Sequence, residues 1–600
     1  MAMAKRLSVI IPTYNRRHVL ERTLPALAAQ DLPPEDCEVI VVVDGSTDSS
    51  VALLHNWKPE FAFSVLQLVH RGPSAARNAG IRAAQGDILL LMDDDHIADA
   101  ALFRRHCESH SGSEPRLVQG RVYVAPESSE TMFRYISETS YEEFYRDLNS
   151  ETDLRYSERG VSFISVLAAL ANSSIPREVL LRSGGFDEEI WAAEDLELGL
   201  RLWKMGVSFH FQPAAIVYEY FVKTSGSYLQ QQARALGAGD LIASRKHPEY
   251  RPYSRMSAFA ETSVPKRWLR GALMRLPVSP VPLLALPLRL EKWFYRFSPL
   301  RRLGGRLLRF SETVARLRSA LSTAGSWEAL RSEFDRELPG ILYHHVGPSE
   351  PDDPQAITVS PEQFERQIRW LARRGYTGIG ASDWLRWRGE GTRLPEKPIV
   401  ITFDDAYADI TEYALPILRR YGFGAVVFVV TGQLGGINSW DETRGCGNLR
   451  LMTAEQIRYW AGQGIEFGAH SRTHADLTQL SASELLAEVA GSKHDLSELL
   501  GSPVISFAYP YGASNEAVRE SVQREFDLAF GVEAGMNYLR GDPYRLLRTQ
   551  VCPTDSLLEF ALYVRFGSIK TLRALRVRLG LRTRLRKVLN RIYSHNPMFS

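Results

Sequence analysis

The sequence predicts an α/β protein in two parts: a Rossmann-like, mostly parallel sheet in the N-terminal half, then a distorted (β/α) barrel in the C-terminal half. Two stretches and one rhythm predict it. Ile88 to His96 (ILLLMDDDH) is an unbroken apolar run of strand length that ends in three carboxylates. Such a run suits a strand buried in a parallel sheet, with Asp93, Asp94 and Asp95 at its carboxyl end. Pro398 to Asp405 (PIVITFDD) repeats the arrangement with Asp404 and Asp405. Around both, short β-branched runs alternate with helical stretches, as βαβ units require. Ligands bind at the carboxyl ends of strands in such folds, so the two acidic clusters are the first candidate sites.

With 600 residues, 44% of them hydrophobic and 24% charged, the chain holds two to four globular domains with their own cores. The net charge is only +2, but basic residues crowd 265–318 and 565–591. Cys37, Cys107, Cys446 and Cys552 lie far apart without CxxC spacing, which argues against a zinc knuckle or a disulfide framework and fits a reducing compartment. The first apolar run is too short for a signal peptide, and no stretch approaches the ~20 apolar residues of a membrane span. The longest, Val278 to Leu290, is broken by Pro280, Pro282 and Pro287. A cytoplasmic protein is expected.

Leu7 to Ile11 (LSVII) and Glu38 to Val43 (EVIVVV) flank a helical stretch from Arg17 to Gln30, so the chain opens on a βαβ unit. Polar residues follow each strand: Thr13, Tyr14 and Asn15, then Asp44, Gly45, Ser46, Thr47 and Asp48. Asp44 at a strand end suits a base or ribose, with Gly45 allowing the tight turn; DGSTD equally supplies an N-cap for the helix that follows. From Pro73 an Ala-rich helix begins, and its N-terminal amides with Arg71 and Arg77 make a diphosphate site, although small alanines also suit close packing. Three adjacent carboxylates repel one another unless a cation compensates them, and alternation along an extended chain points Asp93 and Asp95 the same way. Gly184 to Gly206 then turns into an amphipathic helix with Glu194 and Asp195 at its start, where the helix dipole favours carboxylates with or without a function.

In order and spacing, SVIIPTYNR, VVVDGSTD, GPSAARNAGI, LMDDDH and GGFDEEIWAAEDLELGLRLW resemble a family 2 glycosyltransferase of the GT-A fold, over about residues 6–250. The resemblance implies that Asp44 contacts the nucleotide base and that Asp93 and Asp95 hold Mg²⁺ or Mn²⁺ on the diphosphate. It also places Thr13, Arg71, Arg77 and Asp94 on the nucleotide sugar, Glu194 on the sugar, and Asp195 as general base of an inverting transfer. Two departures stand out. Glu219 occupies a position where many relatives carry His, and Ala235 stands where processive synthases have the Trp of QxxRW, which implies one-sugar transfer.

Residues 251–337 read as a connector, punctuated by proline and rich in aromatic and basic residues. Within it, Leu303, Leu307, Leu308 and Phe310 with Arg301, Arg302, Arg306 and Arg309 predict a basic amphipathic helix, at a membrane or packed between domains. No recognition motif accompanies this surface, so nucleic acid is not an expected partner. Residues 561–600 form a basic tail: Arg565 to Arg591 carries no Asp or Glu, and Leu572, Leu575 and Leu579, then Leu585, Val588, Leu589 and Ile592, keep helical spacing. Peripheral contact with an anionic membrane at the cytoplasmic face is the expectation.

In residues 338–560, strand-like IEFGAH leads into HSRTH, which offers His470 and His474 four residues apart on a turn or short helix. Imidazoles so spaced, with a carboxylate, suit Zn²⁺ or another divalent first-row metal. TFDD and HSRTH resemble the first two motifs of carbohydrate esterase family 4 polysaccharide deacetylases, the NodB homology domain. The resemblance implies Asp404 as general base and Asp405, His470 and His474 as metal ligands in hydrolysis of an N-acetyl group. FAYPYG resembles the third motif, with Tyr509, Pro510 and Tyr511 along the sugar groove, but has Ala508 where many members have Arg. The family's Leu-x-His acid is missing from LLRTQV (546–551), and YHHV makes His344 or His345 the substitute acid, or else core histidines.

The whole reads as a bifunctional carbohydrate enzyme that transfers a sugar from a nucleotide-sugar donor to a carbohydrate or lipid-linked acceptor and N-deacetylates an amino sugar. Two alternatives stand beside it: both parts modify a polyprenyl-phosphate-linked sugar, or the second part only binds carbohydrate.

Overall fold

The computed structural model describes residues 6–111, 114–146, 171–256, 264–348, 357–444 and 449–567. The chain divides into two compact units, Met1–Phe334 and Asp335–Ser600.

The first unit is built on eight strands: β1 (Leu7–Thr13), β2 (Cys37–Asp44), β3 (Ala62–Leu68), β4 (Ile88–Leu91), β5 (His96–Ala98), β6 (Arg116–Val124), β7 (Ser173–Pro176) and β8 (Ser208–Glu219). Their order is β3-β2-β1-β4-β7-β6-β8-β5. The first four run parallel, β7 is antiparallel to β4 and β6, and β5 is antiparallel to β8. The central strands are continuous apolar runs because helices cover both faces. Val9, Ile11, Val39 and Val41 pack with Leu20, Leu24 and Leu27 on one side, while Ile10, Ile40 and Val42 meet Ala76 and Ile81 on the other. The helix Pro73–Ala83 starts abruptly because Gly72 takes a φ of 93° and Pro73 presets the first turn.

The segment expected as a connector is largely a helical layer of this unit, which continues to Phe334. Helix Ser298–Ala324 buries Leu308, Val314 and Leu317. It lies so close to helix Gln232–Lys246 that a Cβ on Gly237 would sit 2.1 Å from the Arg316 carbonyl oxygen. In the 301–310 stretch Leu308 is buried by this packing, while Leu303 stays 56% exposed.

The second unit contains β9 (Leu338–Tyr343), β10 (His345–Val346), β11 (Thr358–Val359), β12 (Thr377–Gly378), β13 (Pro398–Phe403), β14 (Val426–Val429), β15 (Glu466–Ala469), β16 (Ser506–Ala508), β17 (Leu528–Phe530), β18 (Met536–Asn537) and β19 (Thr549–Gln550). The main path runs β17-β16-β15-β14-β13-β9-β18, with β12 on β13 and β19 on β9, and all but β18 pair in parallel; β10 and β11 form a separate ribbon. A bridge from Phe530 to Leu546 carries β17 toward the segment that enters β19, so the sheet curls back toward β9 as a distorted barrel does. Capping boxes at Thr453/Gln456, Ser481/Glu484 and Ser556/Glu559 start three of the surrounding helices. Among the described residues no helix is long and apolar enough to cross a membrane. The basic tail, from residue 568 onward, lies outside the described residues.

Candidate active sites

In the first unit β1 and β4 are neighbours, and the polar residues beyond both strands meet. Thr13 Oγ1 donates to Asp94 Oδ2 at 2.7 Å, and Arg16 donates to Asp95 at 3.1 Å while lying 3.8 Å from Asp94. Arg77, from the Pro73–Ala83 helix, bridges Asp93 at 2.8 Å and Glu194 at 2.7 Å. Because β5 pairs with β8, His96 stands opposite Glu219, whose carboxylate accepts from the Tyr141 hydroxyl at 2.6 Å.

Five carboxylates (Asp93, Asp94, Asp95, Glu194 and Asp195) therefore share the two guanidiniums of Arg16 and Arg77, and a sixth, Glu219, is repelled by Asp95 and Asp93 and attracted by Lys223. Burial, then the neighbouring Asp95 and Asp93, pushes Asp94 up to about 7 against the charge of Arg16. Burial and Glu194 raise Asp195 to about 8, and burial and Asp95 raise Glu219 to about 8. Asp93, Asp95 and His96 offer ligand atoms within 4.8 Å of one another, and the buried His96 Nδ1 has no hydrogen-bond partner among the described residues. A donor set short of positive charge, mostly oxygen with one imidazole, fits Mg²⁺ or Mn²⁺.

Asp44 is placed differently from the expected free contact to a base. Its Oδ1 and Oδ2 accept the backbone N–H groups of Arg71 (2.8 Å) and Gly72 (2.9 Å), which anchors the loop before the helix. Above it, Tyr14 stacks on His70 with ring centres 4.2 Å apart, and Trp191 meets His70 edge-on at 5.7 Å. Neither arginine expected at the diphosphate is free: Arg71 pairs with Glu188 at 2.8 Å, and Arg77 is drawn onto the acidic cluster.

In the second unit β13, β14 and β15 lie side by side, so Asp404 and Asp405 after β13 approach His470 after β15. His470 and His474 sit on a turn, not a helix. His470 Nδ1 lies 2.7 Å from the Ala508 carbonyl oxygen, which can only accept; Nδ1 carries the proton and Nε2 faces Asp405 Oδ1 at 3.5 Å with its lone pair. His474 Nε2 is 3.2 Å from the same oxygen, which is buried and accepts no hydrogen bond among the described residues. The three residues converge within 4.8 Å, and two imidazoles with one carboxylate fit a divalent cation. Burial pushes His470 down to about 4, while the imidazoles of His474 and His470 outweigh burial and hold the Asp405 carboxyl well below the usual range. Asp405 and His474 have φ of 67° and 61°, left-handed backbone that side chains rarely adopt, so the turns store strain at the cluster.

Asp404 belongs to a different pair. The fully buried Arg548 donates to its two oxygens at 2.6 and 3.0 Å, and also to Thr402 Oγ1 and Gly531 O. Burial would raise this carboxyl, but the Arg548 charge outweighs it and holds Asp404 below the usual range. Arg548 went unrecognised in the sequence, inside the very LLRTQV stretch that lacks histidine. A lone arginine among apolar residues signals a buried partner, yet the fold alone shows which carboxylate it meets.

His344 is within electrostatic reach of Asp404 and Asp405, and burial lowers its imidazole. His345 instead pairs with Asp409 at 2.8 Å and lies against Tyr407 at 3.6 Å between ring centres. Tyr509, expected in the groove, is buried with Phe507, its hydroxyl donating to Tyr544 O at 3.0 Å, and Pro510 is buried too. The reason is position: β16 ends at Ala508, and the next side chain still belongs to the core. Tyr511 remains open and meets His474 edge-on at 4.5 Å, while Trp440, absent from the expected set, stacks on the same imidazole at 4.6 Å.

Residues 8–172 match Glycosyl transferase family 2, and residues 391–528 match Polysaccharide deacetylase. Over 236 residues the chain is 25% identical to "Putative polysaccharide deacetylase YxkH" of Bacillus subtilis, covering 39% of this chain and 78% of that protein. Over 223 residues it is 32% identical to validoxylamine A glucosyltransferase of Streptomyces hygroscopicus subsp. limoneus, covering 34% of this chain and 48% of that protein. Over 168 residues it is 27% identical to poly-beta-1,6-N-acetyl-D-glucosamine N-deacetylase of Staphylococcus aureus, covering 26% and 55% respectively. The chain thus spans about half of the latter two relatives. The chain carries a family 2 glycosyltransferase domain toward its N-terminus and a polysaccharide deacetylase domain toward its C-terminus.

Proposed function

We propose that the chain is a bifunctional enzyme of glycan synthesis, transferring a sugar from a nucleotide-sugar donor and N-deacetylating an amino sugar. In the first unit the acceptor hydroxyl attacks the anomeric carbon as Asp195 takes its proton, and the nucleoside diphosphate departs on the opposite face with inversion. Burial and Glu194 raise the affinity of Asp195 for a proton, which supports that role. Asp93 and Asp95, with His96, would hold Mg²⁺ or Mn²⁺, which when bound neutralises charge developing on the diphosphate. Asp44 keeps the loop beside the nucleotide in place.

In the second unit Asp405, His470 and His474 would hold Zn²⁺ or a related ion, which when bound polarises the N-acetyl carbonyl. Asp404 takes a proton from the attacking water, and His344 returns one to the departing nitrogen, giving amine and acetate. Arg548 keeps Asp404 ionised and fixed in direction, and Tyr511 with Trp440 walls the approach to His474.

One observation carries the deacetylase reading: Arg548, the residue before β19, supplies the arginine that the third motif lacks. A domain kept only to bind carbohydrate would not need a buried carboxylate clamped in this way beside a triangle of metal-ligand side chains. We place the protein in the cytoplasm, with a carbohydrate or lipid-linked acceptor. Nucleotide release from a panel of donors identifies the transfer, and acetate release from N-acetylated chito-oligosaccharides, lost in Asp405→Ala, identifies the hydrolysis. No acetate from any acetylated sugar with metal supplied would return the second unit to a binding role.

A further inference from the structure

Between Val281 and Phe297 the chain runs through three helical pieces set end to end, Val281–Ala285, Leu286–Leu290 and Glu291–Arg296. One face of this run belongs to the first unit: Val281, Leu288 and Phe294 are buried, and Glu291 accepts hydrogen bonds from Met132 N, Ser225 N and Ser225 Oγ. The other face carries Leu283, Leu286, Leu290, Trp293 and Phe297, which are 75, 50, 61, 49 and 51% exposed. They recur at intervals of three and four residues, the spacing by which a helix gathers one apolar stripe. Trp293 and Phe297 lie 5.4 Å apart between ring centres. Side chains of this size leave on the order of 500 Å² of contiguous apolar surface in water, as large as patches that serve as interaction sites.

Charge decides the occupant. The exposed charged side chains of the run are all basic, Arg289, Lys292 and Arg296, the last paired with Glu130. Its one acid, Glu291, is the residue turned inward. Arg302 and Arg306 add to the same sign at the start of the next helix. A second copy of this chain would set this basic rim against itself, whereas an anionic lipid surface meets both the stripe and the rim. We propose that the 281–297 run lies flat on an anionic membrane. The five apolar side chains enter the boundary between headgroups and acyl chains, and Arg289, Lys292 and Arg302 meet lipid phosphates. Its residues belong to neither candidate active site nor to the basic tail segment.

Co-sedimentation of the full chain with phosphatidylglycerol/phosphatidylcholine vesicles tests it. Binding should weaken as salt rises, be weaker to phosphatidylcholine alone, and fall at least tenfold in Leu283→Ser/Leu290→Ser with an unchanged circular dichroism spectrum. Arg289→Gln/Lys292→Gln should lower binding to the anionic vesicles only. Brominated lipid should quench fluorescence in the wild type more than in Trp293→Tyr. Equal partition of the wild type and the leucine variant overturns the proposal, because the tail then suffices. So does a wild type that ignores vesicles but self-associates through the stripe.

Discussion

Replacing Arg548 by methionine removes the guanidinium but keeps most of the volume, and should move the acid limb of deacetylation to higher pH with the metal still bound. Arg548 and Asp404 are both buried, and their two contacts at 2.6 and 3.0 Å are charge-assisted. Breaking a buried pair of this kind costs about 3–5 kcal/mol, because the surviving charge has no water to turn to. If all of it falls on the ionised carboxylate, Asp404 rises by about 2–3.5 pKa units at roughly 1.4 kcal/mol each. The sign follows from the native state. Asp404 is now held below the ordinary range, so the ionised base is present throughout the neutral region. Without Arg548, burial pushes the carboxyl up and the acid limb of kcat/KM moves to higher pH. Starting from below the ordinary range, that rise leaves much of the carboxyl ionised at pH 7, so deacetylation should fall only a few-fold there, by about tenfold or more at pH 5, and recover in alkali, with Arg548→Lys intermediate. Acetate release across pH 5–9, with elemental analysis of each variant, is the assay. An unchanged pH profile with near-normal turnover would refute the clamp, and loss of the metal with activity would show a collapsed site instead.

Asp95→Ala should abolish metal-dependent nucleotide release, whereas Asp195→Asn should still bind donor and lose turnover; full transfer activity in chelator would sink the cation assignment. In the second unit His470→Ala should lose both metal and acetate release, while Asp404→Asn keeps the metal, and near-normal turnover in the latter would move the base elsewhere. His106 lies buried between Ser174 Oγ (2.8 Å) and Asn172 Oδ1 (3.0 Å), and burial pushes its imidazole down to about 4. The unfolded chain takes up that proton near pH 6.5, so its contribution is complete above that pH and lost as pH falls toward 4, by about 3 kcal/mol. His106→Gln should flatten the pH dependence of the first unit's melting temperature, and an unaltered slope would exclude His106 as its source.

Much of both sites could be read in the sequence because each rests on a strand end. An apolar run that stops in aspartates fixes the direction of the chain, the face of the sheet and the side chains delivered there, as LMDDDH and TFDD both do. What could not be read depends on pairings between distant segments. Arg548 meets Asp404 across 144 residues only because β19 returns to β9, next to β13, and that closure has no local signature. His96 and Glu219 meet through a register of β5 on β8. Arg71 and Arg77 are expected from the helix N-terminus beside them, but their pairing with Glu188, Asp93 and Glu194 depends on distant segments that the sequence does not bring together. Proline and charge marked 251–337 as a connector, yet its helices are amphipathic, and tertiary burial of one face made them part of a fold.

The two units bury carboxylates in opposite electrostatic settings. In the deacetylase unit each acid has its own partner, Arg548 for Asp404 and the histidines for Asp405, and both carboxyls are held below their ordinary range. The first unit gathers six carboxylates around Arg16, Arg77 and Lys223, and three of its acids rise into the neutral range. Such an arrangement is stable only with protons or a cation among the acids, so cation binding there must displace protons. The division follows the chemistry proposed for each. A hydrolytic base that works on water has to remain ionised, and a permanent guanidinium secures that. A transferase must accept a diphosphate and let it go as a nucleotide product. On the proposed reading, Arg16 and Arg77 are already engaged by the acids, so the charge that holds the diphosphate arrives with the cation and leaves with it.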